Sequence, residues 1–339
     1  MEKVSVFGAG SWGTAIAFVL SDNGHNCMLW TRKPDQCREI NEQHTNEMYL
    51  PKIELPTNLH AVTDVREAVT HSDVLIIAVP TKGIREICGQ LNRLINEPKL
   101  IVHVSKGIEP DSLKRISEMI EDEIDPEKRK AIVALSGPSH AEEVVLRHPT
   151  TITAASLDAE AAIKVQDLFM NNYFRVYTHD DLIGVEIGGA LKNVIALAAG
   201  ISDGLSYGDN AKAALITRGL AEITRLGMKM GANPLTFSGL TGLGDLIVTC
   251  TSIHSRNYKA GNLLGQGKTL DDVISGMGMV IEGIRTTKAA HQLAVRHGVS
   301  MPLTEALYTV LFEGETPKQA VDQLMGRTKK QEIEDIFYK

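Results

Sequence analysis

Between Val4 and Ala17 the chain reads VSVFGAGSWGTAIA, and this stretch restricts the fold more than any other. A short apolar run, Val4 to Phe7, meets Gly8, Gly10 and Gly13 at the spacing GxGxxG. Ala15, Ile16, Val19 and Leu20 then recur at helical spacing. The pattern predicts a strand, a tight turn and a helix. In such a unit the first glycine makes the turn, the second lets the backbone approach a pyrophosphate, and the third lets the helix pack closely on the strand. The anion rests on free backbone N–H groups at the helix N-terminus. The stretch therefore points to dinucleotide binding.

The alternation continues. Cys27 to Trp30 predicts a second strand, Asp35 to Gln43 a helix, and His60 to Val62 a weak strand. Val74 to Val79 and Leu100 to Val104 are continuous apolar runs, as expected of parallel strands covered on both faces, with a helix from Ile84 to Ile95 between them. Ala131 to Leu135, Thr150 to Ala155 and Phe174 to Tyr177 would extend the sheet. From Asp181 onward helical periodicity, alanines and glycine-punctuated turns take over. The expected fold is an N-terminal Rossmann-type doubly wound α/β sheet over 1–180 and an all-α domain over 181–339, with the boundary near Thr178 to Leu182.

A chain of 339 residues suits two such domains, each large enough for its own core. Cys27, Cys37, Cys88 and Cys250 have no CxxC spacing and no histidines in register, so neither a metal site nor a disulfide framework is expected. A formal net charge of -7 argues against nucleic acid as the main partner. The acidic run Glu121 to Asp125 reads as a solvated helix end. With no leader ahead of the first strand, and no apolar run near the roughly 18 residues of a membrane span, a cytoplasmic protein without membrane insertion is expected.

Candidate chemistry lies at strand ends and in the second half. A site for NAD wants an acid about twenty residues after the glycines, whereas NADP needs positive charge there. This chain has Thr31-Arg32-Lys33, which favours a 2'-phosphate, with NADH also tolerated. Lys106 in VSKG follows a buried run, and Ser139 lies in the Gly-Pro turn of SGPSHA. In DLIGVEIGGALKNVIALAAGISDG, Lys192 rises beside an apolar stripe from a face of Gly188, Gly189, Ala196 and Ala199. Two glycines inside a helix cost about 1 kcal/mol each. Either another helix packs closely there and Lys192 snorkels to water, or a substrate occupies the room. Asp245 follows the glycines of GLTGLGD as a helix cap or a site residue, with Thr249 one turn on. Arg256 and Asn257 read as a polar loop suited to bidentate phosphate recognition, or as plain surface.

Together GAGSWGTA, SKG, SGPS, GGALKNVIALAAG, NAKAALITRGLAE, GLTGLGDLIVTC, SRN and VIEGIRTT resemble the bacterial NAD(P)-dependent sn-glycerol-3-phosphate dehydrogenases over nearly the whole length. The resemblance implies interconversion of dihydroxyacetone phosphate and sn-glycerol 3-phosphate for phospholipid synthesis, in a cytoplasmic homodimer. It implies Lys192 as proton acceptor, and Lys106, Gly137, Ser139, Asp245, Ser255, Arg256 and Asn257 on the substrate. It implies Ser11, Trp12, Arg32, Lys33, Tyr49, Lys106, Ala141, Arg256, Val280 and Glu282 on the cofactor, beside the glycines. Ser139 stands where many relatives have threonine, and either hydroxyl can donate.

Reduction of a ketone needs an ammonium at the oxygen, and the reverse needs a neutral amine. Burial and Lys106 would lower the Lys192 pKa, and Asp245 would raise it. A ketopantoate-type reductase would share fold and lysine but has no use for the Ser255-Arg256-Asn257 loop. A sugar-nucleotide dehydrogenase would need Cys250 as nucleophile, although it follows a run that looks buried. A nucleotide sensor without turnover would not need Lys106, Lys192 and Arg256 together.

Overall fold

The computed structural model describes residues 1–278, 280–329 and 331–332. Its eight strands are β1 (Lys3–Phe7), β2 (Asn26–Trp30), β3 (His60–Val62), β4 (Val74–Ile77), β5 (Lys99–His103), β6 (Arg129–Ser136), β7 (Thr150–Ala155) and β8 (Phe174–His179). They form one sheet in the order β3-β2-β1-β4-β5-β6-β7-β8. Every predicted strand is present. The sheet is parallel from β3 to β6, but β7 runs antiparallel to β6, with Ser136 opposite Thr153, and β8 is parallel to β7. The apolar runs behave as their composition demands: all four residues of β4 are buried, because helices cover both faces.

Those helices are α1 (Ser11–Asp22), α2 (Pro34–Gln43), α3 (Val65–His71), α4 (Ile84–Leu94), α5 (Ile116–Glu123), α6 (Ala141–Val145) and α7 (Ala159–Phe169). The chain then becomes helical: α8 (Leu182–Gly204), α9 (Asp209–Lys229), α10 (Asp245–Thr251), α11 (Arg256–Gly265), α12 (Leu270–Met277), α13 (Glu282–His297), α14 (Pro302–Phe312) and α15 (Pro317–Met325). The expected division at 180/181 falls between β8 and α8, and the end of the second unit at 339 lies outside the described residues. The acidic run is less solvated than expected, since Asp122 and Glu123 both pair with Arg85.

Helix α8 is the axis of the second half. Asp181 caps it, accepting from Gly184 N at 2.8 Å, while its other oxygen accepts from Thr236 Oγ1 at 2.6 Å. Its first turn packs Leu182 and Val185 against Ala134 and Ala155 of the sheet. Farther on, Ile187, Leu191, Val194 and Ile195 enter the core shared with the other helices. Against α11 the approach is backbone to backbone: a Cβ at Gly261 would lie 2.0 Å from Leu197 O, and one at Gly200 would lie 2.1 Å from Tyr258 O. With a mean hydropathy of 1.6 over 18 residues, α8 is long and apolar enough to cross a membrane, contrary to expectation. That window is 89% buried within the protein, as befits a core helix.

Candidate active site at the seam between sheet and helices

The glycine turn is built as its spacing requires. Gly8 has φ +121°, and a Cβ there would meet Ala78 O at 2.7 Å. At Gly13 a Cβ would lie 1.9 Å from Gly8 O, so only glycine lets α1 start this close to β1. Gly10 faces open space, with nothing within 4 Å of a Cβ. No side chain caps α1 and no acid stands in its first turn, so its N-terminal N–H groups are available to an anion. Trp12 Nε1 is buried without a partner. These features fit the pyrophosphate of a dinucleotide.

Sequence reasoning missed what braces this turn. Gln36 Nε2 donates to Ala9 O at 2.7 Å and to Asn46 Oδ1 at 3.0 Å, and Thr31 Oγ1 donates to Gln36 Oε1 at 2.5 Å. Asn46 in turn donates to Thr14 Oγ1 at 2.8 Å. Those to Ala9 and Thr14 span 27 and 32 residues, and no local pattern marks them. Ser11 Oγ donates to Tyr49 O at 2.9 Å, which draws the 46–50 segment onto the turn. Lys33 Nζ lies 5.6 Å above the Tyr49 ring, while Arg32 and Lys33 are exposed beyond β2. The structure thus brings Ser11, Lys33 and Tyr49 together beside the glycine turn.

Across the crevice Glu282 opens α13. Its Oε1 accepts from Thr81 N at 3.1 Å, while its Oε2 and Thr81 Oγ1 are buried without partners. Burial raises the Glu282 carboxyl above its usual range. Gly107 fills the gap: a Cβ there would lie 2.2 Å from Thr81 Oγ1. Val280 is half-buried just before α13, Ala141 is buried at the start of α6, and the exposed Arg256 acts on Glu282 through its charge.

At the seam two lysines share one carboxylate. Asp245, 1% exposed, receives Lys106 Nζ on Oδ2 at 2.7 Å and Lys192 Nζ on Oδ1. Lys106 also donates to Gly137 O at 2.9 Å, and Lys192 to Thr249 Oγ1 at 2.9 Å. Asp245 is therefore no cap. Burial, helped by the Lys106 charge, drives the Lys192 pKa down to about 7 against the pull of Asp245. Burial alone would raise Asp245, yet the Lys106 and Lys192 charges hold it below the usual carboxylate range.

Neither reading of the glycine face was complete. The room is taken by backbone at Gly188, whose Cβ would lie 2.5 Å from Thr241 O, and at Gly189 by Ser136 Oγ at 2.9 Å and Lys106 Cγ at 3.6 Å. Lys192 does not snorkel, being 7% exposed.

Gly137 has φ +141° and leaves no room for a side chain against Ile152, and Ser139 Oγ donates to Gly137 O at 3.0 Å. The Arg256–Asn257 segment is not a loop: Ser255 caps α11 by accepting from Tyr258 N at 3.2 Å, and Arg256 and Asn257 form its first turn. Asn257 is buried, donating to Asn193 Oδ1 at 3.0 Å and accepting from Gly283 N at 2.8 Å. It therefore locks α11 to α8 and α13. Cys250 is fully buried and its thiol is pushed up to about 12 by burial, which removes it as a nucleophile.

The family described as NAD-dependent glycerol-3-phosphate dehydrogenase matches twice: its N-terminal part over residues 3–162 and its C-terminal part over residues 181–322. The chain is 66% identical to the glycerol-3-phosphate dehydrogenase [NAD(P)+] of Lysinibacillus sphaericus over 336 residues, covering 99% of each chain. To the enzyme of the same name from Bacillus subtilis it is 63% identical, over 99% of this chain and 97% of the relative. The crystal structure of glycerol-3-phosphate dehydrogenase from Coxiella burnetii superposes with a TM-score of 0.91 at 37% identity, covering 96% of this chain and 99% of that one. With both halves matched and its relatives aligned end to end, the chain belongs to the NAD-dependent glycerol-3-phosphate dehydrogenase family.

Proposed function

We propose that the chain reduces dihydroxyacetone phosphate to sn-glycerol 3-phosphate, reversibly, with NADPH preferred and NADH accepted, and so supplies the backbone of glycerophospholipids. The observation that carries this reading is the buried cluster of Lys192, Asp245 and Lys106 where the sheet's carboxyl edge meets α8 and α10. Gly8, Gly10 and Gly13 with the start of α1 would hold the dinucleotide by its pyrophosphate, and its reduced nicotinamide would supply the hydride. Lys192, as ammonium, donates its proton to the C2 oxygen as charge develops there. In the other direction the neutral amine accepts that proton, and a pKa of about 7 keeps both forms available near neutrality. Asp245 and Thr249 fix the Lys192 ammonium in place. Lys106 and Arg256 hold the phosphate dianion, and Ser139, Ser255 and Asn257 shape the rim.

The remaining cofactor contacts, the two-domain division at 180/181, a homodimer and a cytoplasmic setting belong to the same reading. Its test is direct. Dihydroxyacetone phosphate added to the protein with NADPH should consume NADPH, read by its absorbance, and glycerol 3-phosphate should accumulate in equal amount. No consumption with either nicotinamide would end the reading.

A further inference from the structure

Apart from the lysine cluster, a second buried charge crosses the same seam. Glu186 lies on α8, and its side chain is 2% exposed. Its partners all come from the sheet side. Ser117 donates to it twice, from N to Oε1 at 2.7 Å and from Oγ to Oε2 at 2.6 Å. Arg115 Nη1 donates to Oε2, and His103 Nε2 stands 3.3 Å from Oε1. Arg115 and Ser117 open α5, whereas His103 ends β5. Burial alone would raise the Glu186 carboxyl, but His103, Arg115 and Ser117 hold it below its usual range.

An ionised carboxylate this deep is costly unless its partners compensate fully, and hydrophobic residues would often serve stability as well or better. Its placement gives it a use. His103 precedes Lys106 by three residues on one side of the seam. On the other, Glu186 precedes Lys192 by six residues, or about 9 Å along the helix axis. Glu186 thus joins the segment bearing Lys106 to the helix bearing Lys192, about one and two-thirds turns before the point where Asp245 joins the two lysines themselves.

We propose that Glu186 is a positioning residue for hydride transfer: gripping Arg115, Ser117 and His103, it sets the height of α8 against the sheet edge and so the placement of Lys192 over the substrate. The proposal rests on the dehydrogenase reading of the site. Among the described residues the polar partners of Glu186 are Arg115, Ser117 and His103, and none belongs to the glycine turn or is Lys106 or Arg256, so its loss should leave both binding steps intact. A misplacement on the scale of 1 Å costs about 100-fold in rate.

The test compares Glu186→Ala and Glu186→Gln with the unaltered enzyme. The assay reads kcat and KM for dihydroxyacetone phosphate, NADPH affinity by fluorescence, and folding by circular dichroism. Glu186→Ala should lower kcat about 10- to 100-fold with KM and NADPH affinity nearly unchanged. Glu186→Gln should recover part of the loss, because its amide oxygen still accepts from the Ser117 N–H. Should Glu186→Ala fail to fold, Glu186→Gln and Ser117→Ala are read the same way, with smaller losses in kcat expected. Folded variants with the kcat of the parent, or variants whose only defect is a lower melting temperature, would overturn the positioning role. An unaltered enzyme that does not turn over would instead overturn the function itself, so the two failures are separable.

Discussion

Lys192 and Arg32 are opposite cases at the residue scale, one buried among partners and one exposed to water. Lys192→Ala should retain fold and NADPH binding while kcat falls by about 10²- to 10⁴-fold, the contribution of a positioned general acid. Steady-state rates with folded protein test it, and a kcat within about threefold of the parent would be too small a loss for that role. Arg32, beyond β2 and exposed, holds no ion pair among the described residues. Arg32→Asp should move the NADPH to NADH preference by about 1 to 3 kcal/mol toward NADH, because a carboxylate repels a 2'-phosphate and accepts from a free 2'-OH. An unchanged ratio of kcat/KM values would make Arg32 ordinary surface charge. Lys192, Lys106 and Asp245 were legible because each stands where its local setting is odd: a lysine in a glycine-rich helix, a lysine ending a buried run, an acid after glycines. Glu186, Gln36 and Asn46 were not, since their surroundings in sequence look like any helix or turn and their partners arrive only on folding.

Elements were legible where a run was apolar and continuous, as in β4 and β5, and their ends where Gly or Pro stood. The reversal of β7 was not, because a strand's direction leaves no trace in its own composition. Between α9 and α14 a buried acid makes a prediction of its own. Glu222, 1% exposed, accepts from Leu303 N at 2.6 Å and from Thr304 N at 3.2 Å, capping α14 from another helix. Burial raises its pKa to about 7. The unfolded chain then loses this proton near 4.5 while the fold retains it, so stability falls as pH rises between those values, by up to about 3 kcal/mol, and levels off above. In Glu222→Gln this contribution to the fall should be absent, leaving a shallower slope. Urea unfolding at about pH 5 and about pH 8 measures the slope, and an equal fall in both proteins would assign it elsewhere.

On the scale of the whole molecule, the phosphate recognition proposed above draws on distant parts: Lys106 from the sheet edge and Arg256 from the start of α11. If the dianion's binding energy aligns C2 with Lys192, unphosphorylated dihydroxyacetone should lose kcat as well as affinity. Arg256→Ala should then cost the phosphorylated substrate about 2 to 5 kcal/mol in kcat/KM, the scale of a truncated charge pair, and the unphosphorylated one little. Lysine there should rescue only in part, as a point charge in place of a planar fork. Equal losses for both substrates would assign Arg256 to the cofactor or the fold.

Helix α8 begins packed on β6 and β7 and ends within the helical core, with only Asp180 and Asp181 between it and β8. The two halves therefore own one rod jointly, and neither can lose its structure without stripping the other of a wall. Calorimetry should record a single endotherm in place of two separable transitions. Protease should find no nick near residue 180 that releases a folded half, and a gene cut there should yield two insoluble pieces rather than two working domains.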